Sequence, residues 1–178
     1  MIAQGPGVVL IHAAGGGVGH LAVQIAVSLG ATVVGNARAS KHAWLRRRGA
    51  DELIDYTTQR VEDVAGEVDV VRDLVGADAA GTRIRAVGII RRGGIYVPVA
   101  PGRPDGLDEL AARRVVRVAP ALLVDPGGPG LRRLAQMADE GKLSEHVEEV
   151  FAMSDLAAAH RRGESNAVAG KLVLRVTE

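Results

Sequence analysis

Residues that can hold a phosphate occur near the start of the chain, in the run Ala14-Gly15-Gly16-Gly17-Val18-Gly19. Glycine lets the main chain approach a ligand closely and adopt a positive φ angle at little cost. An apolar run at 8–12 predicts a buried strand before this run, and apolar residues at helical spacing after it predict a helix. Such a helix points its unpaired N–H groups and the positive end of its dipole at the turn. We therefore expect a phosphate or pyrophosphate to bind there.

This glycine turn (residues 14–19) fits the dinucleotide fingerprint G-x-G-x-x-G, with Ala14 in the place of the first glycine. A second apolar run at 31–35 follows the predicted helix, which is the context that the fingerprint requires. A P-loop is excluded because no Gly-Lys-Ser or Gly-Lys-Thr sequence follows the glycines. A glycine-rich turn that holds no ligand is the alternative interpretation.

The residues after the second predicted strand indicate which dinucleotide would bind. An NAD site usually has an acidic residue about 20 residues beyond the glycines, but none occurs at 20–50. Asn36, Arg38 and Lys41 follow the strand instead. Because two cations suit a 2′-phosphate, we predict NADP(H); the alternative is that both are ordinary surface charges. Tyr56 is predicted to flank the adenine, or else to be a packing residue.

Candidate catalytic residues are few. The chain has no cysteine, which excludes a thiolate nucleophile and a cysteine-based zinc site. It has no G-x-S-x-G nucleophile elbow, and neither tyrosine is followed by a lysine three or four residues later. Asp69 and Asp73 are interpreted as structural. The histidines, which show no metal-ligand spacing, are His12, His20, His42, His146 and His160. We therefore identify no catalytic residue and predict no metal site.

Composition indicates a globular α/β protein. Hydrophobic residues make up 47% of the 178 residues and aromatic residues only 2%, so the core must be aliphatic, as in a parallel sheet covered by helices. The net charge is +1, and we interpret the paired arginines as solvated faces, not as a nucleic-acid site. No apolar run reaches the roughly 18 residues of a membrane span, and no signal peptide is evident. We expect a cytoplasmic protein without a membrane partner.

The elements that position the glycine turn follow from the alternation of apolar runs and helical spacing. This pattern predicts a Rossmann-like, doubly wound α/β fold with a mostly parallel six-stranded sheet. We place a dinucleotide-binding domain at 1–145 and a short strand-helix-strand appendage at 146–178. Ligands of such sheets bind at the carboxyl ends of the strands, where the winding reverses, and the glycine turn lies there.

Several element boundaries follow from local residue types. Ser40 and Ser154 are predicted as N-caps of helices. A helix at 79–90 should be followed by a fifth strand at 95–99. The apolar run from Val115 to Val124 predicts a sixth strand at the edge of the sheet. Because exposed edge strands are usually paired or covered, we expect a homodimer through it.

These motifs resemble the quinone oxidoreductase branch of the medium-chain dehydrogenase/reductases. The glycine turn is similar to the A-x-x-G-x-x-G turn of that branch, and further matches cover nearly all of the chain. The matching segments, in chain order, are 11–19 with Gln24, 49–56, 68–71, 75–76, 93–94, 141–143, 158–162 and 170–174.

The resemblance implies an NADPH-dependent, zinc-independent reductase of quinones or enones. In such a reductase Gly16, Gly17, Val18 and Gly19 would bind the pyrophosphate. Arg38 and Lys41, the cations identified above, would bind the 2′-phosphate. Val75 and Val99 would line the nicotinamide side. Members of the branch begin with a GroES-like catalytic domain, and Met1 stands just before the first strand here, so we expect that domain to be absent. The segment from Val147 onward packs on that domain in the family.

Two functions from different classes remain open on this basis. The chain is either the NADP(H)-binding part of a reductase whose catalytic domain is supplied separately, or a truncated paralogue with a new role. The second role would be a cofactor-independent cyclase or isomerase, or a non-catalytic partner subunit. A start methionine with a short lead-in favours a complete gene product.

Overall fold

Residues 7–75, 81–99, 102–120 and 127–176 are described by the structure, a computed structural model. The strands are β1 (Val8–Ile11), β2 (Thr32–Asn36), β3 (Glu52–Ile54), β4 (Val68–Asp73), β5 (Ile90–Pro98), β6 (Arg117–Val118), β7 (Val147–Ala152) and β8 (Lys171–Arg175). The first six form one parallel sheet in the order β3-β2-β1-β4-β5-β6, and β7 and β8 form a separate parallel pair. The order reverses between β1 and β4, so the predicted Rossmann-like doubly wound sheet is confirmed.

Helices cover both faces of the larger sheet. They are α1 (Gly19–Ser28), α2 (His42–Arg47), α3 (Val61–Val64), α4 (Thr82–Gly88), α5 (Leu107–Arg114), α6 (Gly128–Asp139) and α7 (Leu156–Glu164), with 3-10 turns at Ala39–Lys41 and Met153–Asp155. Successive strand residues point to opposite faces. Ile11 therefore packs with Val23 of α1 and Leu45 of α2, whereas Leu10 packs with side chains of α3, α4 and α5. As the composition predicts, the core is almost entirely aliphatic.

The two predicted serine caps are wrong. Ser40 lies inside a 3-10 turn, and Lys41 is the residue that precedes α2. Ser154 likewise lies in a 3-10 turn, and Asp155 precedes α7. No side-chain cap forms at either helix. In each case a 3-10 turn precedes the helix, and the serine lies in that turn, one residue before the cap position. Its hydroxyl therefore does not reach the first free N–H groups of the helix.

The fifth strand is longer than predicted, because it begins at Ile90 and not at residue 95. Val68 of β4 pairs with Ile90, but Val70 pairs with Ile95, so the residues between bulge out of the ladder. A Cβ added to Gly94 would lie 2.5 Å from Ile90 Cγ2 and 2.6 Å from the carbonyl oxygen of Asp69. The glycines at 93–94 therefore belong to a bulge inside β5 and not to a turn between a helix and a strand.

The sixth strand is shorter than predicted. Val115 ends α5 in the left-handed conformation, with φ of 57°, so the strand begins only at Arg117. The N–H of Ala119 still donates to the carbonyl oxygen of Tyr96, 2.8 Å away. Pro120 has no N–H with which to continue the ladder. Residues 121–124 of the predicted strand lie outside the described residues, as do residues 79–80 of the predicted helix before β5.

Candidate functional site

A cleft of about 260 Å³ lies beside the glycine turn. One wall is formed by the glycine turn and the residues after β2, and the other by the loop that connects α7 to β8. The lining residues are Ala13, Gly15, Gly16, Gly17, Ala37, Arg38, Lys41, Tyr56, Gly163, Asn166, Val168 and Gly170. The structure thus brings together the predicted site residues Gly15, Gly16, Gly17, Arg38, Lys41 and Tyr56.

The glycine turn uses its glycines for close approach and not for positive φ angles. The residue with a positive φ is Ala13, at 52°, whereas none of the four glycines of the turn has one. A Cβ on Gly19 would lie 2.1 Å from the carbonyl oxygen of Ala13 and 2.7 Å from Cα of Ala14. Gly19 is therefore required where α1 crosses the end of β1, as the third glycine of the fingerprint is.

The N-terminus of α1 offers donors for an anion. Within the described part of the chain, no acceptor is paired with the main-chain N–H groups of Gly17, Val18 and Gly19. Val18 itself is exposed and does not line the cleft. Free N–H groups at the positive end of a helix dipole are the arrangement that binds phosphate, so the turn fits a pyrophosphate.

Two cations belong to the same wall as the glycine turn. Arg38 Nε donates to the hydroxyl oxygen of Tyr56 at 3.0 Å, and its guanidinium carbon lies 5.9 Å from the centre of that ring. Lys41 Nζ donates to the carbonyl oxygens of Gly15 at 3.2 Å and Val168 at 2.5 Å. Partial burial lowers the pKa of Lys41. Two of the three N–H donors of its ammonium are used by these carbonyls, which leaves one for a ligand.

Asn36, Val75 and Val99, predicted as site residues, lie outside this cleft. Asn36 is buried at the end of β2, and its carbonyl oxygen accepts the N–H of Ala14 at 3.0 Å. Val75 and Val99 follow β4 and β5. Both are tied to Asp73: the N–H of Val75 donates to its Oδ1 at 3.0 Å, and the N–H of Val99 donates to its main-chain oxygen at 2.9 Å.

Asp73, interpreted above as structural, is the centre of a buried hydrogen-bonded cluster that the sequence did not reveal. Its Oδ2 accepts hydrogen bonds from Arg83 Nε at 2.7 Å and from the Tyr96 hydroxyl at 2.6 Å. His12 Nδ1 lies 3.6 Å from Oδ1. Burial alone would raise the pKa of Asp73, but His12, Tyr96, Val75 and Arg83 together hold it far below its usual range. A charged residue at the end of a buried strand was the available sequence signal.

The C-terminal wall of the cleft was also missed, because the segment from Val147 onward was expected from the resemblance to pack on the GroES-like domain. Gly170 donates its N–H to the carbonyl oxygen of Gly15 at 3.3 Å. Asn166 and Gly170 have positive φ angles of 53° and 71°, so the loop turns sharply over the glycine turn. Asn and Gly four residues apart were the sequence signal for this turn.

A histidine pair joins the C-terminal segment to the glycine turn. His20 Nδ1 donates to the carbonyl oxygen of Gly16 at 2.9 Å, and the main-chain N–H of His146 donates to His20 Nε2 at 3.3 Å. The ring of Trp44 lies 5.7 Å from that of His20 and 4.7 Å from that of His146. Burial lowers the pKa of His20, which keeps the ring neutral and Nε2 free to accept.

Two negative results complete the description of the site. Among residues 7–75, 81–99, 102–120 and 127–176, no three His, Asp or Glu side chains are grouped so that they could hold a metal ion. Within the same ranges, no helix has the length and apolar character needed to cross a bilayer.

Comparison with known proteins gives consistent similarities. Residues 48–174 match a family model described as zinc-binding dehydrogenase. The 2-haloacrylate reductase of a Burkholderia species is 32% identical over 93% of the chain and 54% of that protein. The chloroplastic NADPH-dependent alkenal/one oxidoreductase of Arabidopsis thaliana is 31% identical over 93% of the chain and 40% of that protein.

A solved structure is similar over almost the whole chain. The quinone oxidoreductase of Coxiella burnetii superimposes with a TM-score of 0.87 at 34% identity, covering 99% of this chain and 54% of that one. The chain therefore spans about half the length of the relatives it matches.

Proposed function

Because the chain belongs to the zinc-binding dehydrogenase family, as a quinone oxidoreductase-like member of the medium-chain dehydrogenase/reductases, we propose that it binds NADP(H) in the cleft beside its glycine turn. The reaction would be reduction of a small quinone- or enone-type molecule. The hydride chemistry belongs to the cofactor, and the share of this chain is binding and orientation. One observation carries the proposal: Gly17, whose main-chain N–H has no acceptor in the described part of the chain, lines the same cleft as the two cations Arg38 and Lys41.

The pyrophosphate would bind at the start of α1. The N–H groups of Gly17, Val18 and Gly19 would donate to its oxygens, and the helix dipole would add a favourable field. Ala14, Gly15 and Gly16 would act by their small size, since a side chain at residue 15 would meet Lys41 Cδ at 2.5 Å. Asn36 would hold the turn through its carbonyl oxygen, which accepts the N–H of Ala14.

The 2′-phosphate would lie between Arg38 and Lys41. Arg38 is held against Tyr56, so its guanidinium is oriented for a bidentate contact and the phenol ring offers a stacking face for the adenine. No acidic residue occurs at 37–50, directly after β2, where a carboxylate would repel the phosphate. This electrostatic pattern favours NADP(H) over NAD(H).

The substrate side of the reaction would come from a catalytic domain that this chain does not include, either in a longer protein or as a separate partner. The pair β7–β8 exposes Val150 and Val173 on one face. Such a face suits a second β-domain, because parallel strands are normally buried on both sides.

We also propose that zinc is not used and that β6, at the sheet edge, pairs with a second copy of the chain. Light scattering would contradict this dimer if it showed a monomer at high concentration.

Calorimetric titration with NADPH and NADH tests the cofactor proposal. We expect NADPH to bind at least about tenfold more tightly, which corresponds to about 1.4 kcal/mol. The variant Arg38→Gln should lose most of this preference and keep its weak affinity for NADH, whereas Lys41→Gln should weaken the binding of both cofactors, because its ammonium also holds Val168 in the opposite wall. The matched control is Arg47→Gln, an exposed cation of α2 that does not line the cleft. No binding at millimolar NADPH would overturn the proposal.

A further inference from the structure

The buried Asp73 cluster lies where the two halves of the sheet meet. Asp73 ends β4 and pairs with Pro98 at the end of β5, and the preceding residue, Arg72, pairs with Ile11 at the end of β1. In doubly wound sheets, ligands bind in the crevice outside the carboxyl ends of the strands at the point where the order reverses. The cluster therefore lies directly beneath that crevice.

Asp73 fixes both main-chain segments that leave the two strands on this side. Its side chain accepts the N–H of Val75 at 3.0 Å, and its main-chain oxygen accepts the N–H of Val99 at 2.9 Å. One residue thus sets the position of Val75 relative to Val99. A shift of its carboxylate would move Val75 relative to Val99.

The carboxylate itself is held by two further buried side chains. Arg83 of α4 and Tyr96 of β5 both donate to Oδ2, and Arg83 Nη1 also donates to the carbonyl oxygen of Gly102 at 3.0 Å. Asp73, Arg83 and Tyr96 are at most 3% exposed. A buried ion pair is costly to form and would often be replaced by apolar residues without loss of stability. We therefore attribute the Asp73–Arg83 pair to the need to hold Val75 and Val99 in place, and not to a gain in stability.

We propose that Asp73, held by Arg83 and Tyr96, is a positioning residue for the nicotinamide end of the bound cofactor. This inference rests on the proposed function, because it requires NADP(H) to extend from the glycine turn to the segments that contain Val75 and Val99. None of the three residues lines the cleft at the adenine end. The cluster should therefore affect one end of the cofactor and leave the other unchanged.

The contribution of each end of the cofactor can be measured by comparing two ligands. They are NADPH and adenosine 2′,5′-bisphosphate, which lacks the nicotinamide half. The variant Tyr96→Phe removes one hydrogen bond to Asp73 with almost no change of volume. We expect it to weaken NADPH binding by about three- to tenfold and bisphosphate binding by less than about twofold. The enhancement of dihydronicotinamide fluorescence on binding should fall as well. Asp73→Asn should have a larger effect of the same kind.

Asp69→Asn is the matched control, because Asp69 is the second residue of the same strand and its Oδ2 accepts the N–H of Val8 at 2.8 Å, at the end of β4 away from the crevice. It should change neither affinity. Circular dichroism verifies folding, and Tyr96→Phe decides the outcome if Asp73→Asn does not fold. Equal effects on both ligands, or none, would overturn the inference alone. Wild-type protein that binds neither ligand would overturn the proposed function and this inference with it.

Discussion

Lys41 and Val168 are joined by a hydrogen bond from the ammonium to the carbonyl oxygen, at 2.5 Å and across 127 residues of chain. The same ammonium donates to Gly15 in the glycine turn. One side chain therefore connects the predicted 2′-phosphate side of the cleft to the loop that forms its opposite wall. This connection gives Lys41 a role in the free protein in addition to its proposed role in cofactor binding.

Loss of the Lys41 ammonium should loosen residues 163–170. Hydrogen bonds to charged groups contribute about 1.5–3 kcal/mol, so Lys41→Gln should speed amide hydrogen exchange in this loop by about tenfold or more. Mass spectrometry of the exchanged peptides measures this. Lys142→Gln removes an exposed lysine paired with Glu140 and is the control. Unchanged exchange in Lys41→Gln would show that the Val168 bond does not hold the loop.

Gly19→Ala should be severely destabilising. The new methyl group would lie 2.1 Å from the carbonyl oxygen of Ala13, and main-chain atoms of the turn cannot move away without displacing α1 from β1. We expect the free energy of unfolding to fall by more than about 3 kcal/mol in urea denaturation. Gly88→Ala is the control: an added Cβ there meets no atom within 4 Å, so it should be neutral or stabilise α4 by up to about 1 kcal/mol.

Much of the fold could be predicted from residue patterns, and the misses have physical causes. The aliphatic runs of β1 and β4 and the glycine turn have one local interpretation each. The bulge in β5 was missed because glycines at 93–94 suit a turn equally well, and only the close approach of Ile90 and the Asp69 carbonyl oxygen selects the strand. Local sequence cannot show such an approach, because it is set by the neighbouring strand.

The candidate site, too, could be predicted from the sequence only in part. Arg38 and Lys41 follow a recognisable strand, so their place beside the cleft could be predicted from their position. The wall formed by Val168 and Gly170 could not, because contacts across more than a hundred residues leave no local pattern. The Asp73 cluster has the same origin, since Arg83 and Tyr96 belong to different elements and meet only in the folded core.

Acidification should destabilise the protein through His20. Burial lowers the pKa of this ring below 6.5, so the folded state binds its proton less readily than the unfolded state. The stability that neutral His20 provides is complete above pH 6.5 and is lost as the pH falls below that value. One histidine contributes at most about 1.4 kcal/mol per pH unit.

The fluorescence of Trp44, the one tryptophan of the chain, can follow this transition because its ring lies against His20 and His146. Urea denaturation between pH 7.5 and 5 should show the fall in stability, and His20→Gln should reduce it. His160→Gln, which changes an exposed residue of α7, should leave the pH dependence as it is in the wild type. An identical slope in the His20 variant would exclude His20 as its source.

Gln24 should be important for stability although it lies outside the cleft. Its side chain is buried, and it accepts the N–H of Ser144 at 2.9 Å and donates to the carbonyl oxygen of Ser144 at 2.9 Å. Gln24→Leu removes the acceptor of the Ser144 N–H but leaves the Ser144 carbonyl oxygen with Arg48 Nη1, which donates to it at 3.0 Å. Because Ser144 is exposed, the loss should cost about 1–2 kcal/mol in thermal or urea unfolding. Gln136→Leu, on the exposed side of α6, should cost less than about 0.5 kcal/mol. Equal effects would contradict this assignment.

The bonds from Gln24 to Ser144 and from Lys41 to Val168 span 120 and 127 residues. During synthesis on a ribosome, β1, α1 and β2 emerge early, but the wall that closes the cleft emerges only after residue 170 has left the exit tunnel. Long-range contacts of this kind slow folding, because the chain loses conformational entropy on closing the loop before the contacts that compensate for it have formed. The glycine turn of a nascent chain therefore stays uncovered on this side until residue 170 has emerged, and any molecule that reaches the turn earlier meets a cleft with one wall missing.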